Sequence, residues 1–180
     1  MNLTQMHERL RADPRIRLFE KTHILDAGPE LLGPDLFDVV VADLSFISLT
    51  RVAARLVELA RPDADIVVLV KPQFEAGRQE ASRGKGVIRD PAVWRRVLEE
   101  VIDAFEGLGA AMMGAMPSPL RGADGNVEFL VRLRAPDTFR CRPDDPAGGA
   151  GRPVPRSRAE VLDEVVDSAT RDSSVGGPVT

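Results

Sequence analysis

Three ionisable residues, Asp43, Lys71 and Glu128, stand where sheet proteins commonly gather their reactive groups. Asp43 follows the apolar run 37–42, and Lys71 follows the apolar run 65–70. Glu128 lies near the start of a later alternating segment, and it reaches the same edge of the sheet if that strand runs antiparallel to the other two. A lysine flanked by two carboxylates can accept the proton of a hydroxyl group as its oxygen attacks an electrophilic methyl carbon. The three residues therefore indicate proton-transfer chemistry at a strand end.

Each of these residues also has a purely structural interpretation. Asp43 fits an N-cap of the turn after its strand, Lys71 a solvated lysine before a proline, and Glu128 an exposed strand residue. Their convergence favours a site, because ionisable groups that directly follow apolar strands are typical of functional centres.

Two aromatic residues, Phe46 and Phe74, each follow a strand-end charge by three positions. In that position an aromatic ring can stack on a nucleic-acid base or on adenine. The same residues can equally be loop hydrophobes folded back onto the core, and the sequence leaves both interpretations open.

The elements that position these residues follow from the hydrophobic pattern. Residues 37–42 and 65–70 are predicted as strands covered on both faces, joined by an amphipathic helix over 49–60. Strand, helix and strand in this order predict a right-handed parallel crossover. Asp90 and Pro91 predict the start of a further helix, which continues to Phe105. Residues 110–116 and 126–134 are predicted as two more strands, which can pair antiparallel.

The two ends of the chain differ from this central part. A helix is predicted over residues 3–11 and a short strand over 16–19. The domain is predicted to occupy residues 1–134, and residues 135–180 are predicted as a polar, disordered tail because Pro, Gly, Ser and Asp dominate there. Within the tail, residues 157–160 have the form of a capping box and can open a short helix.

Composition excludes several classes of protein. The net charge of −4 and pI near 5.3 argue against nucleic-acid binding by bulk charge. A local basic patch remains as an RNA-contact candidate or as solvated surface, and it comprises Arg78, Arg83, Lys85 and Arg89. The single cysteine, Cys141, permits no disulfide framework, and we find no metal-binding motif. The N-terminus has no signal-peptide core and no apolar run reaches membrane-spanning length, so the sequence predicts a cytoplasmic protein.

Three segments carry a resemblance to a known family, and they are residues 42–49 (ADLSFISL), 70–77 (VKPQFEAG) and 118–128 (SPLRGADGNVE). In this order they resemble the hemolysin-type TlyA family of ribosomal RNA 2′-O-methyltransferases, whose catalytic domain is FtsJ-like. The resemblance covers residues 7–134. It implies an α/β fold with an incomplete Rossmann-like methyltransferase sheet and helices on both faces, S-adenosylmethionine as methyl donor, and ribosomal RNA as partner.

The resemblance also implies roles for individual residues. Lys71 corresponds to the family's general base, Asp43 lies beside the donor's methyl and sulfonium groups, and Glu128 supports the lysine. Leu44 and Glu20 join Asp43 as candidate donor contacts. The candidate contacts to the RNA substrate are Ser45, Phe46, Gln73, Phe74 and Arg121.

The sequence departs from the family pattern before Asp43. It lacks an S4-type RNA-binding domain, the family's first catalytic lysine and the Gly-rich turn that binds the donor. We therefore expect a chain truncated at its N-terminus, a sheet without two of its central strands, and weak donor binding by the chain alone. The alternatives are a genuine short protein acting as a non-catalytic RNA- or protein-binding module, and a degenerate gene product.

Overall fold

The structure is a computed structural model that describes residues 6–77, 80, 82, 84–137 and 156–175. It divides into two compact units, Met1–Pro34 and Asp35–Thr180. Within the described residues no helix is both long enough and apolar enough to cross a membrane. The reactive strand ends predicted above all belong to the second unit.

The first unit contains two short helices, α1 (Glu8–Arg11) and α2 (Pro29–Leu32), and a 3₁₀ turn at Ile24–Asp26. The predicted strand over residues 16–19 is wrong, because this segment forms no strand pairing. Its Arg17 guanidinium instead donates hydrogen bonds to the carbonyl oxygens of Leu32 (2.6 Å) and Leu31 (3.3 Å) at the end of α2. An isolated extended segment of this length has no partner for its backbone groups, so side-chain contacts decide its path.

The second unit is built on a four-stranded sheet. Its strands are β1 (Phe37–Ala42), β2 (Ala60–Val70), β3 (Ala111–Pro117) and β4 (Phe129–Arg134), in the spatial order β1-β2-β4-β3. β1 and β2 are parallel, and β4 runs antiparallel to both β2 and β3. This mixed α/β arrangement confirms the predicted fold class.

The helix after β1, α3 (Leu49–Leu59), is the predicted amphipathic crossover. Ser48 caps its first turn by accepting a hydrogen bond from the Thr50 amide, and the apolar stripe of α3 is buried. The chain then enters β2 directly at Ala60, earlier than predicted, because Ala60 already pairs with Phe37 at the start of β1. The register shifts before the next pair, Val39 with Asp65, and Asp63 (φ +62°) lies in this irregular stretch.

Two further helices follow β2 along the chain. α4 (Pro72–Glu75) is a single turn after β2, and α5 (Pro91–Glu106) begins as predicted, with the Asp90 carboxylate accepting the Ala92 amide. α3 packs against α5. α3 contacts β1 and β2, and α5 contacts β3. The core between them includes fully buried residues from helix and strands, namely Val52, Ile66, Val68, Val97, Val101, Phe129 and Val131.

The two faces of the sheet differ in exposure at β1. Alternate residues of β2 and β4 are fully buried, whereas β1 exposes Val39 (58%) and Val41 (72%) on the opposite side. The sequence predicted β1 as covered on both faces because its composition is that of a buried strand. Composition does not report whether a neighbouring layer exists, and β1 lies at the sheet edge.

The region predicted as a disordered tail contains a helix, α6 (Arg158–Val175), that packs on β3 and α5. Its capping box is formed, because the Glu160 amide donates to Ser157 Oγ (3.2 Å) and the Ser157 amide donates to the Glu160 carboxylate (2.9 Å). Leu162 and Ala169 are buried beneath it. The helix is stabilised by docking rather than by its own propensity, and Cys141 lies outside the described residues.

Candidate functional site

The predicted reactive residues converge because of strand direction. β1 and β2 are parallel, so Asp43 and Lys71 leave the sheet at the same edge. Val70 pairs with Phe129 in the antiparallel β2–β4 ladder, which places Glu128 beside Lys71 in the continuation of that register. The condition stated for Glu128, an antiparallel final strand, is met.

An ion pair joins the first two strand ends. Lys71 Nζ lies 2.6 Å from Asp43 Oδ1 and 3.4 Å from Ser45 Oγ. The lysine side chain is 13% exposed, whereas the Asp43 side chain is 66% exposed. The amino group is therefore held in place by a carboxylate and a hydroxyl group at the mouth of the site, with the carboxylate facing solvent.

Glu128 is buried, with 7% of its surface exposed. Gln73 Nε2 donates a hydrogen bond to Glu128 Oε1 at 3.2 Å. The same oxygen also lies close to Gly122, where a Cβ atom would be only 2.2 Å from Oε1. The partner that the structure gives to Glu128 is thus Gln73, two residues beyond Lys71, and only a glycine leaves room for this arrangement.

The two phenylalanines are in contact. The ring centroids of Phe46 and Phe74 are 5.0 Å apart with a 50° angle between the planes. Phe46 is 91% exposed and adopts a left-handed backbone conformation (φ +64°). The interpretation of Phe46 as a hydrophobe folded back onto the core is therefore wrong, and its ring is presented to solvent above the half-buried Phe74.

Sequence reasoning missed one partly buried acid at this edge, Glu75. Its Oε2 accepts a hydrogen bond from Ser48 Oγ (2.6 Å), and its Oε1 accepts the Leu49 amide (2.8 Å) at the N-terminus of α3. Burial raises the pKa of Glu75, and these two hydrogen bonds only partly oppose the rise. No local sequence pattern predicts these contacts, because the partners of Glu75 are 26 and 27 residues away along the chain.

A second missed residue, Asn126, organises the loop before α5. Its side chain is buried, accepts the Ile88 amide (3.1 Å) and donates to the Gly86 carbonyl (2.9 Å). The Trp94 indole fixes the same loop from the helix side, by donating to the Ile88 carbonyl (3.0 Å). The loop carries the exposed Lys85 of the predicted basic patch.

The remaining candidates are more dispersed. Leu44 is half-buried, Arg89 is exposed, and Arg121 is exposed and donates to Ser173 Oγ on α6 (3.3 Å). Glu20 is exposed in the first unit, where its carbonyl accepts the Thr22 hydroxyl (3.3 Å). Arg78 and Arg83 lie outside the described residues.

Comparison with known proteins agrees with the resemblance read from the motifs. Residues 1–135 match the profile of the FtsJ-like methyltransferase family. The chain is 46% identical over 125 residues to the 16S/23S rRNA (cytidine-2′-O)-methyltransferase TlyA of Mycobacterium tuberculosis, covering 69% of this chain and 46% of that protein. It is 34% identical over 129 residues to hemolysin A of Brachyspira hyodysenteriae, covering 72% and 53%.

A solved structure also matches. A hemolysin candidate from Lactococcus lactis superposes with a TM-score of 0.73 at 28% identity, covering 92% of this chain and 72% of that one. The chain spans about half the length of the curated relatives it matches. The fold is therefore shared with this solved structure, and the sequence similarity to the two relatives extends over about 70% of this chain.

Proposed function

Because the chain belongs to the FtsJ-like methyltransferase family, we propose that it acts in ribosomal RNA ribose 2′-O-methylation, with S-adenosylmethionine as the methyl donor. The observation that carries the proposal is the Lys71–Asp43 pair, at 2.6 Å, on the edge of the sheet where Glu128 also arrives. A relative with 46% identity bears the name of an rRNA cytidine 2′-O-methyltransferase. A cytoplasmic location follows from such a substrate.

The residues present suit one side of a donor site. Asp43 offers a largely exposed carboxylate, which attracts the positively charged sulfonium group, and the half-buried Leu44 beside it offers an apolar wall. Glu20 is the third proposed donor contact. When bound, S-adenosylmethionine supplies a methyl group that is already activated for displacement.

Lys71 would remove the proton from the ribose 2′-hydroxyl. Its Nζ accepts that proton in the neutral amine form, while Asp43 and Ser45 fix the position of the nitrogen and Asp43 stabilises the ammonium that results. Glu128 supports this edge through Gln73, which belongs to the same turn as Lys71. General-base assistance of this kind contributes about 10²–10⁴-fold to a rate.

The acceptor nucleotide would be held mainly by stacking. Phe46 presents an almost fully exposed ring that Phe74 supports from beneath, which is the geometry that unpaired RNA bases use. Ser45, Gln73 and Arg121 are the proposed polar contacts. Since the net charge is −4, phosphate contacts must come from local cations such as Arg121 and Lys85 rather than from bulk charge.

The test is ribose methylation of ribosomal subunits, measured by nuclease digestion and mass spectrometry of the 2′-O-methyl nucleosides after incubation with the chain and S-adenosylmethionine. Lys71→Ala is expected to lower product formation by ~100-fold or more, because it removes the general base. Arg51→Ala removes an exposed cation on α3, which has no proposed contact with donor or RNA, and serves as the matched control.

Two results would contradict the proposal. One is product formation that Lys71→Ala leaves at the wild-type rate. The other is a wild-type chain that retains ribosomal RNA on purification yet forms no methylated nucleoside, and this result would favour the non-catalytic binding module instead.

A further inference from the structure

Glu75 is a partly buried carboxylate that the proposed reaction does not use. It closes the single turn α4, four residues after Lys71, and both of its oxygens have partners on the other strand-end segment. Burial raises its pKa, so the protein keeps an acid where ionisation is disfavoured. A carboxylate kept in such a place indicates a specific role for Glu75.

The partners of Glu75 lie at the start of α3. The carboxylate accepts the Leu49 amide, one of the first-turn donors that a helix leaves unsatisfied, and it also accepts the Ser48 hydroxyl. Ser48 Oγ in turn accepts the Thr50 amide (3.2 Å). Glu75 therefore anchors the N-terminus of α3 to the turn that follows β2.

The anchored segment carries the proposed reacting groups. Residues 43–48 leave β1 at Asp43 and end at Ser48, so β1 fixes one end of the segment and Glu75 fixes the other. Between them Phe46 takes a left-handed conformation, which costs a non-glycine residue free energy and persists only where surrounding contacts enforce it. Without the anchor, the segment is free to relax away from Lys71.

We propose that Glu75 is a positioning residue that holds the 43–48 segment closed against the Lys71 turn, so that Asp43 meets Lys71 and Phe46 meets Phe74. Five contacts described above join residues 43–49 to the Lys71 turn, and Glu75 makes two of them. Its importance for catalysis depends on the proposed function, whereas its control of the Lys71–Asp43 contact is a property of the folded chain alone.

The experiment measures acylation of Lys71 by acetic anhydride, read by mass spectrometry relative to the exposed Lys85 in the same molecule. In the wild type, the ion pair and burial protect Lys71. The Asp43→Asn variant removes the ion pair and gives the reference rate for acylation of Lys71 without it. Glu75→Ala is expected to raise the Lys71 rate about fivefold, towards that reference, because losing the two hydrogen bonds shifts the population of the closed segment.

Two variants separate positioning from general stability. Glu75→Gln keeps the size of the side chain and the acceptor for the Leu49 amide, so it is expected to restore protection to within about twofold of wild type. Glu58→Ala removes an exposed carboxylate from the far end of α3 and is expected to leave the Lys71 rate unchanged. A purely structural role would lower the melting temperature of Glu75→Ala without exposing Lys71 in the folded protein.

Ser48→Ala gives a second route if Glu75→Ala does not fold, because it removes one of the two contacts and leaves the carboxylate in place. A folded Glu75→Ala or Ser48→Ala protein whose Lys71 stays as protected as in the wild type would overturn the positioning role. The labelling needs neither RNA nor methyl donor. Suppose that the wild-type chain transfers no methyl group but Glu75→Ala still exposes Lys71 to labelling. That pair of results would reject the proposed function and leave the positioning role standing.

Discussion

The position of Glu128 depends on the absence of a side chain at Gly122. The carboxylate fits between the Gln73 amide and the backbone of Gly122, and a Cβ at Gly122 would lie 2.7 Å from the carboxyl carbon. The far end of a glutamate can move, so an added methyl group displaces the carboxylate rather than the fold. Such a displacement would break the hydrogen bond from Gln73 to Glu128 and disturb the packing around the carboxylate.

We therefore expect Gly122→Ala to lower the free energy of unfolding by about 1–2 kcal/mol, because it overpacks a buried carboxylate and breaks one hydrogen bond. Gly114→Ala is the matched control, since nothing lies within 4 Å of its Cβ position. Urea denaturation of both variants measures the difference. Equal stabilities for the two would show that the close approach at Gly122 has no energetic consequence.

Glu75 makes stability depend on pH. Because burial raises its pKa in the folded state, the native protein binds more protons than the unfolded chain between the ordinary value of 4.5 and the raised value. The free energy of unfolding therefore falls as pH rises through this window and stays lower above it. Glutamine cannot ionise and escapes this loss.

Glu75→Gln should accordingly gain stability relative to wild type as pH is raised from 4 to 7. Urea midpoints of both proteins at the two pH values measure the change. A difference that is constant with pH, or that shrinks as pH rises, would contradict the assignment of burial as the dominant influence on the pKa of Glu75.

Among the elements, α6 depends most on docking. Its first turn is held by the capping box, and Arg158 reaches Asp103 (2.6 Å) and Glu106 (2.9 Å) on α5. Exposed ion pairs contribute little to stability, so the complete burial of Leu162 is the larger effect.

Leu162→Ala is expected to lower the free energy of unfolding by about 2–5 kcal/mol, because Leu162 is fully buried and the change leaves a cavity. Leu120→Ala, at a leucine that is 76% exposed, should change stability by less than about 0.5 kcal/mol. Chemical denaturation followed by circular dichroism distinguishes the two. If the variants were equally stable, α6 would not be an integral part of this unit.

The sequence predicts an element well where its signal is local. The apolar run of β2, the stripe of α3 and the Asp90–Pro91 start of α5 each carry their own pattern, and all three are confirmed. The contact of Asp43 with Lys71 follows as well, because parallel strands end at the same edge.

Predictions fail where the deciding contact is distant. Docking of α6 depends on a surface made by α5 and β3, which its own weak amphipathic pattern does not report. Glu75 and Asn126 find partners 26 to 40 residues away along the chain. The exposure of Val41 depends on whether another layer covers β1, and an apolar strand looks the same in either case.

For the molecule as a whole, the open sheet face is the main liability. β1 is an edge strand with Val39 and Val41 exposed, and Met113 and Met116 of β3 are about half exposed. Apolar surface next to an unpaired strand edge promotes association between copies of a chain.

Val41→Lys should therefore reduce concentration-dependent self-association while leaving the melting temperature nearly unchanged, because a side chain that is 72% exposed contributes little to the core. Thr50→Lys adds the same charge at an exposed site on α3 and is the matched control. Light scattering across a concentration series measures the effect. Equal scattering by the two variants would show that net charge, rather than the sheet face, governs association.

The place of β4 in the sheet also determines when the proposed site is assembled during synthesis. On a growing polypeptide, Asp43 and Lys71 are available to pair as soon as β1, α3 and β2 have been made. Glu128 precedes β4, the last strand of the sheet in the chain and yet a central one, which inserts between β2 and β3. Insertion of β4 thus completes the sheet and brings Glu128 to the edge at the same time. A nascent chain in which β4 has not yet paired has Asp43 and Lys71 in place but lacks Glu128 at the proposed site.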